Sequence, residues 1–310
     1  MSPALLIALA MTAMWSVVTV LLRSVLFRFG FDPWTLAMAT MLAAGATLLV
    51  AAGIRSLPLD PLRRWSTWAI GGIRVLTTCC FSAALLYGSA TTITLLSAVN
   101  VLVAAIGVLV VFGRRPRAGE IPGFLLIAIG VVLLATRLEG GWSSPAIKFL
   151  LVSETAVVVS SLLTETHPDN LGDRRQRLAL TGFVTLLSAS GLLVVWSVVG
   201  LALPEAPLGP NASDALASLA SPWLWVAALV FGVFFRAPLT YLSFQITRLI
   251  GADGYMLSMV ALPLTTLAIE ILAGWGGLMP MPGLDPVTLG FSALIVAGGA
   301  WIILVRVRAR

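Results

Sequence analysis

Residues 101–134 read VLVAAIGVLVVFGRRPRAGEIPGFLLIAIGVVLL. Two long apolar stretches flank a short segment that carries three arginines, Arg114, Arg115 and Arg117. Roughly 20 consecutive apolar residues are enough for a helix to cross the hydrocarbon core of a membrane. This stretch therefore predicts two membrane-spanning helices that are joined by a short basic loop.

The same alternation of apolar stretches and polar gaps continues along the whole chain. Hydrophobic residues make up 59% and charged residues 10% of the 310 residues, and the mean hydropathy is +1.03. A water-soluble domain of this length needs far more charge to cover its surface. The pattern predicts about ten spans, over residues 4–27, 34–54, 66–88, 92–112, 121–136, 147–166, 178–203, 222–246, 254–275 and 286–305.

The basic residues recur at every second gap between these spans. Of the 19 lysines and arginines, 13 fall on one side of the predicted membrane and 4 on the other. By the positive-inside rule, both termini are expected to be cytoplasmic and the protein to lie in the inner (plasma) membrane. The net charge of +6 is divided among these clusters. We therefore expect membrane lipid, and no nucleic acid, beside the arginines.

The two halves of the chain share a weak internal repetition. In the region of spans 4 and 9, a glycine follows a serine 16 positions later, at Ser97 and Gly113 and at Ser258 and Gly274. The ten predicted spans divide into two halves of five. Because five is an odd number, the second half must enter the membrane with the opposite orientation to the first. We expect an all-α membrane protein with a 5+5 inverted repeat, made of residues 1–138 and 147–310 with a linker at 139–146.

Several short motifs are similar to those of a known transporter family: Trp15-Ser16 in span 1, Gly113-Arg114-Arg115-Pro116 through Gly123, Ile129-Gly130-Val131, and Pro263 in span 9. Together with ten spans, they make the chain resemble the drug/metabolite transporter superfamily and its EamA-like bacterial members. The chain departs from that pattern at Asn100 and Leu102, where a proline is common, and at Arg114, where glutamate is usual. The resemblance implies a secondary transporter whose central cavity lies between the spans other than 5 and 10.

Four ionisable residues stand out at membrane depth within the predicted spans: Arg74, Arg236, Glu154 and Glu270. Such a residue costs several kcal/mol at membrane depth unless it faces a cavity or a partner. The arginines are candidates to bind a carboxylate or phosphate of the substrate. The glutamates are candidates for proton coupling or for binding an amine. In the alternative interpretation, these arginines and glutamates pair with each other and lock the helices together.

Helical spacing adds polar and aromatic residues to this set. The predicted substrate-binding residues are Trp15, Ser16, Thr19, Arg74, Thr78, Phe81, Asn100, Arg236, Thr240, Tyr255 and Thr266. Serine and threonine in membrane helices usually hydrogen-bond neighbouring helices, and the aromatic rings also fit core packing. Pro238 and Pro263 interrupt predicted helices and are candidate hinges.

We expect a secondary transporter that moves a small polar or amphipathic metabolite outward by alternating access. Two arginines and two glutamates favour an amino-acid-like zwitterion, with organic anions and cationic drugs as alternatives. Protons are the candidate coupling ion, no cofactor or metal is expected, and the chain fits either a monomer or a homodimer. A channel or structural membrane subunit is an alternative from another class.

An intramembrane enzyme is the remaining alternative. The chain contains one histidine, His167, which stands at the end of span 6 before Pro168 and is expected to be a solvated loop residue. The sequence lacks the Gly-x-Ser-x-Gly, His-Glu-x-x-His and Walker motifs. We therefore expect that the protein is not an enzyme.

Overall fold

The computed structural model describes residues 3–53, 57–202, 212–280 and 286–308. Within these ranges the elements are helical and no β-strand occurs. The α-helices are α1 (Pro3–Phe29), α2 (Pro33–Ala52), α3 (Trp65–Ala84), α4 (Ala90–Leu96), α5 (Val99–Phe112), α6 (Ile121–Ala135), α7 (Pro145–Thr166), α8 (Pro168–Leu171), α9 (Arg174–Ala202), α10 (Ala212–Ala220), α11 (Pro222–Phe231), α12 (Ala237–Ser258), α13 (Leu262–Trp275) and α14 (Pro286–Arg308). A π-helix, Gly232–Arg236, joins α11 to α12, and 3-10 turns occur at Asp60–Arg63, Ala118–Glu120, Gly141–Ser143 and Met259–Ala261.

Apolar helices dominate the described chain. Eight helical stretches there are long and apolar enough to cross a membrane. One of them, Pro222–Trp275, contains 54 residues, which is more than twice the length that one crossing needs. The 20-residue helix α3 is not among the eight. These helices establish an all-helical, multi-pass membrane protein.

The fourth and ninth predicted spans are both broken about two turns after they begin. The fourth consists of α4 and α5, and between them Ser97 donates a hydrogen bond from its hydroxyl to the Thr94 carbonyl at 2.8 Å. Such a side-chain bond competes with the regular helical ladder. The ninth span passes from α12 through the turn Met259–Ala261 into α13. Pro263 explains this second break because it has no N–H for the carbonyl four residues earlier. It therefore lies in the first turn of α13, and not within a continuous helix.

Gly251 joins the eighth predicted span to the ninth within α12 itself. Its backbone angles are φ 79° and ψ 172°, a region of the map that is open essentially only to glycine. A Cβ atom at this position would also lie 3.4 Å from the Glu165 carboxylate. The sequence therefore needs glycine here to start the ninth span without a longer loop.

The helices pack in close pairs, with α2 along α9, α3 along α7 and α6 along α14. Gly123 on α6 and Gly298 on α14 meet directly. A Cβ atom on either glycine would lie 2.6 Å from the other's carbonyl oxygen. Small residues of this kind let membrane helices approach closely. The α6–α14 pair lies at the edge of the bundle, since α14 is the least buried of the eight candidate spans.

Candidate functional site

Two adjoining cavities lie among the helices, and we call them together the central cavity. The larger has a volume of about 80 Å³ and the smaller about 50 Å³. The residues that line both parts are Trp15, Thr77, Thr78, Val157, Arg236 and Tyr255. The walls therefore come from α1, α3, α7, α12 and the π-helix, with α5 contributing Asn100 to the larger part.

Nine of the residues singled out in the sequence line the central cavity. They are Trp15, Arg74, Thr78, Phe81, Asn100, Glu154, Arg236, Thr240 and Tyr255. The lining also includes residues that were not predicted as contacts, namely Met41, Thr77, Ser97, Ser153, Val157, Leu239, Ser243, Met256, Met259 and Leu262. Thr77, Ser97 and Ser243 belong to the same polar helical stripes in the sequence as Arg74, Asn100 and Arg236, although they were not among the predicted substrate contacts.

Arg236 is the last residue of the π-helix, and it is 8% exposed. The local sequence explains this unusual element, because Pro238 cannot donate a backbone hydrogen bond to residue 234. π-helical turns of this kind are frequent at functional sites. The Arg236 guanidinium lies 5.1 Å from the ring centroid of Trp15, a cation–π contact. Pro238, a predicted hinge, therefore lies two residues after Arg236, whose side chain lines the cavity.

Arg74 enters the smaller part of the cavity from α3. Its Nη1 donates to Ser243 Oγ at 2.9 Å, and its guanidinium lies 4.3 Å from the ring centroid of Phe244. In the described part of the chain, its buried Nε and Nη2 atoms have no hydrogen-bond partner. These two nitrogens form one edge of the guanidinium, the geometry that binds a carboxylate through two parallel hydrogen bonds.

Glu154 enters the larger part of the cavity from α7 and is 4% exposed. Its Oε2 accepts a hydrogen bond from Asn100 Nδ2 at 2.9 Å. Over the described ranges, no ion pair joins Glu154 to Arg74 or to Arg236. Two guanidinium groups and one carboxyl group thus line connected space without neutralising each other.

Glu270 has a different environment from the one that its position in span 9 suggested. Its carboxylate accepts hydrogen bonds from the backbone N–H of Ala90 at 3.1 Å and of Thr91 at 3.0 Å, and from the Thr91 hydroxyl at 2.6 Å. Its Oε1 also lies 3.4 Å from Nη1 of Arg23. These donors at the N-terminus of α4 stabilise the carboxylate and connect α13 to α1 and α4. We call this arrangement of Arg23, Glu270 and the start of α4 the Glu270 clamp.

Three further predicted contacts also lie outside the cavity lining. Ser16 follows Trp15 on α1, and neighbours on a helix point about 100° apart, so Ser16 faces α13 while Trp15 faces the cavity. Ser16 Oγ lies 3.4 Å from the Leu262 carbonyl, and Thr266 donates to Ser16 Oγ at 3.2 Å. Thr19 donates to the carbonyl of Trp15 at 2.8 Å. Ser16 and Thr266 therefore hold α1 against α13, and Thr19 bonds within its own helix.

A second clamp, which the sequence did not suggest, lies at the other end of the fourth span. Glu165, near the end of α7, accepts hydrogen bonds from Arg114 Nη1 at 2.8 Å and from the backbone N–H of Ala252 at 2.7 Å. Ala252 directly follows the backbone break at Gly251. The Glu270 clamp holds the beginning of α4, whereas Arg114 lies just beyond the end of α5. We call Glu165, Arg114 and the backbone of Ala252 the Glu165 clamp, and it lies at the opposite end of the bundle from the Glu270 clamp.

His167 is buried, and the expectation of a solvated loop residue was wrong. It is 1% exposed, its Nε2 lies 3.1 Å from Thr67 Oγ1, and its Nδ1 accepts a hydrogen bond from the backbone N–H of Asp169 at 3.3 Å. Burial lowers the pKa of His167, although the Asp169 carboxylate opposes that shift. His167 therefore ties α3 to the short helix α8, away from the central cavity.

The comparisons with known proteins agree with this architecture. Residues 2–136 match the model of the EamA-like transporter family. One solved crystal structure aligns over 97% of this chain and 97% of its own, with a TM-score of 0.64 and 20% sequence identity, which is a likeness of fold. No curated protein matches the sequence. Over residues 2–136 the chain therefore matches the EamA-like transporter family, which belongs to the drug/metabolite transporter superfamily.

Proposed function

We propose that this membrane transporter moves a small, amino-acid-like zwitterion outward across the inner membrane, with the central cavity as its binding site. The observation that carries the proposal is the placement of Arg74, Arg236 and Glu154 around one space without an ion pair among them in the described chain. Ionisable groups at membrane depth are expensive and typically serve a substrate or ion pathway. Guanidinium groups can bind the substrate carboxylate, and a carboxylate can bind its ammonium group.

The membrane topology in this proposal has ten spans in two inverted sets of five, with residues 139–146 as the linker. Helix α3 contains 20 residues, enough for one crossing, and Pro222–Trp275 is long enough for two. The similar breaks in the fourth and ninth spans support a repeat, since equivalent helices of inverted-repeat transporters are often discontinuous. The arginine distribution supports cytoplasmic termini.

The two clamps support alternating access. In the Glu270 clamp, span 1 supplies the arginine and span 9 the carboxylate that holds the start of span 4. In the Glu165 clamp, span 6 supplies the carboxylate that holds the start of span 9, and the arginine follows span 4. An inverted repeat exchanges span 1 with 6 and span 4 with 9, so the two clamps occupy equivalent positions. We infer that each clamp opens when the cavity faces its end of the bundle.

Proton coupling is assigned in this proposal to Glu154, since the Glu270 carboxylate is fully occupied by its clamp. The Glu154→Gln variant keeps the shape and the contact with Asn100 but cannot exchange a proton. We expect its transport to lose most of its pH dependence, while Glu139→Gln, at an exposed position, keeps it. Unchanged pH dependence in Glu154→Gln would exclude this role.

Organic anions form a second candidate substrate class, because the cavity contains two guanidinium groups and one carboxyl group. A cationic drug would meet this excess of positive charge and is disfavoured.

Counterflow in proteoliposomes tests the transport function itself. Purified protein is reconstituted with unlabelled amino acid inside, and the entry of the labelled compound is followed. A carrier gives a transient, saturable accumulation, and vesicles sorted by orientation give the direction. Flux that does not saturate and is not stimulated from the opposite side would support a channel instead.

A further inference from the structure

We propose, on the basis of the proposed function, that the substrate carries two anionic groups and one ammonium group, as an acidic amino acid does. The central cavity presents two guanidinium groups and one carboxyl group, and in the described residues none of the three has a charged partner. A buried charge that lacks a partner is costly, so the matching charges are expected on the ligand. A neutral amino acid has a single carboxylate and leaves one guanidinium unmatched.

The order of the three groups along the cavity supports this assignment. Glu154 lines only the larger part, Arg74 lines only the smaller part, and Arg236 lines both. The sequence of charges along the cavity is therefore negative, positive, positive. An acidic amino acid presents the complementary order: its ammonium group lies next to one carboxylate, and the second carboxylate is a short chain away.

Each charged group retains capacity for a ligand. Arg74 offers its unpartnered Nε and Nη2 edge, which fits the distal carboxylate in a bidentate arrangement. Arg236 is held against Trp15 by a cation–π contact that leaves its N–H groups for the carboxylate next to the ammonium. Glu154 accepts a hydrogen bond from Asn100 at Oε2, and a carboxylate has about four acceptor sites, so it can also accept from an ammonium group. The Ser243 and Tyr255 hydroxyls line the same walls.

Matched probes separate the contributions of these groups. The assay follows the entry of a labelled amino acid by counterflow into proteoliposomes that contain the full chain. Glutamate, glutamine and glutarate are added separately as competitors of that entry. Glutamine lacks the second carboxylate, and glutarate lacks the ammonium group. We expect glutamate to compete about tenfold or more better than either, since each loses one charged contact.

The Arg74→Gln variant provides the second arm of the experiment. We expect it to lose most of its preference for glutamate over glutamine, while the exposed Arg115→Gln variant keeps the wild-type ratio. Equal competition by glutamate and glutamine in the wild type would overturn the assignment and leave amino acid transport intact. Equal competition by glutamate and glutarate would overturn the ammonium contact. If no amino acid competes while another solute is carried, the proposed function fails as well.

Discussion

Glu270 and Arg23 approach to 3.4 Å between Oε1 and Nη1, and the same carboxylate accepts both backbone N–H groups at the start of α4. These three contacts join α13, α1 and α4 at one point. Glu270 is completely buried, so its charge depends on these donors for stabilisation. The residue that was a candidate for coupling in the sequence is therefore expected to govern stability.

The Glu270→Gln variant tests that assignment. It leaves Arg23 without its carboxylate and weakens the hydrogen bonds to α4, at a cost of about 1.5–3 kcal/mol. We expect a clearly lower thermal midpoint in detergent, with the pH dependence of the remaining transport unchanged. The exposed Glu139→Gln variant is the matched control and should melt like the wild type. A wild-type midpoint with altered pH dependence would contradict the structural role.

Weakening one clamp or the other is expected to open the central cavity to opposite sides of the membrane. Arg114→Gln weakens the Glu165 clamp, and Arg23→Gln weakens the Glu270 clamp. In a background with Cys79 and Cys80 replaced by alanine, a cysteine at Ser97 reports access to the central cavity. We expect faster alkylation from one side of the membrane in Arg114→Gln, and from the other side in Arg23→Gln. Acceleration from the same side in both variants would refute the proposed gating.

Gly251→Ala should reduce stability, because alanine is strained in the backbone region that this residue occupies, at a cost of about 1–3 kcal/mol. The added methyl group would also approach the Glu165 carboxylate. Gly191→Ala is the control, since a Cβ atom at that helical position meets no atom within 4 Å. Thermal midpoints compare the two variants. Equal midpoints would mean that the break at Gly251 does not require glycine.

The burial of His167 predicts how the free energy of unfolding depends on pH. Because burial lowers its pKa in the folded protein, the unfolded chain binds the proton more readily, and stability falls as the pH drops through about 6.5. Asp169 and Arg64 face the same region and act in opposite senses. We expect the thermal midpoint to decrease between about pH 7.5 and 5.5. The decrease should be smaller in His167→Gln, and an equal decrease in both proteins would remove His167 as its cause.

Most of the long apolar helices could be read from the sequence, because apolar length is a local property of the chain. Helix α7 covers Pro145–Thr166 where residues 147–166 were predicted. Helix α9 begins at Arg174, four residues before the predicted start at 178, because its arginines form the first turn and do not belong to the preceding loop. A membrane helix can extend beyond the hydrocarbon core with charged residues in its end turns, so hydropathy underestimates such ends.

The arrangement of polar groups was harder to predict, because it depends on pairs that lie far apart in the chain. Nothing local to Glu270 reveals that residues 90 and 91 satisfy its carboxylate. The π-helix likewise needs the packing around it, although Pro238 signals that the regular helix fails there. His167 resembled a loop residue because its partner Thr67 lies 100 residues earlier in the chain.

The counterflow rate of the Arg236→Gln variant, measured beside Arg115→Gln at equal reconstitution, tests most directly whether the substrate binds in the central cavity. We expect a fall of about tenfold or more for Arg236→Gln, since a hydrogen bond to a charged group contributes about 1.5–3 kcal/mol. Arg115→Gln should transport at the wild-type rate. A folded Arg236→Gln variant that transports as fast as the wild type would contradict the placement of the substrate in the central cavity.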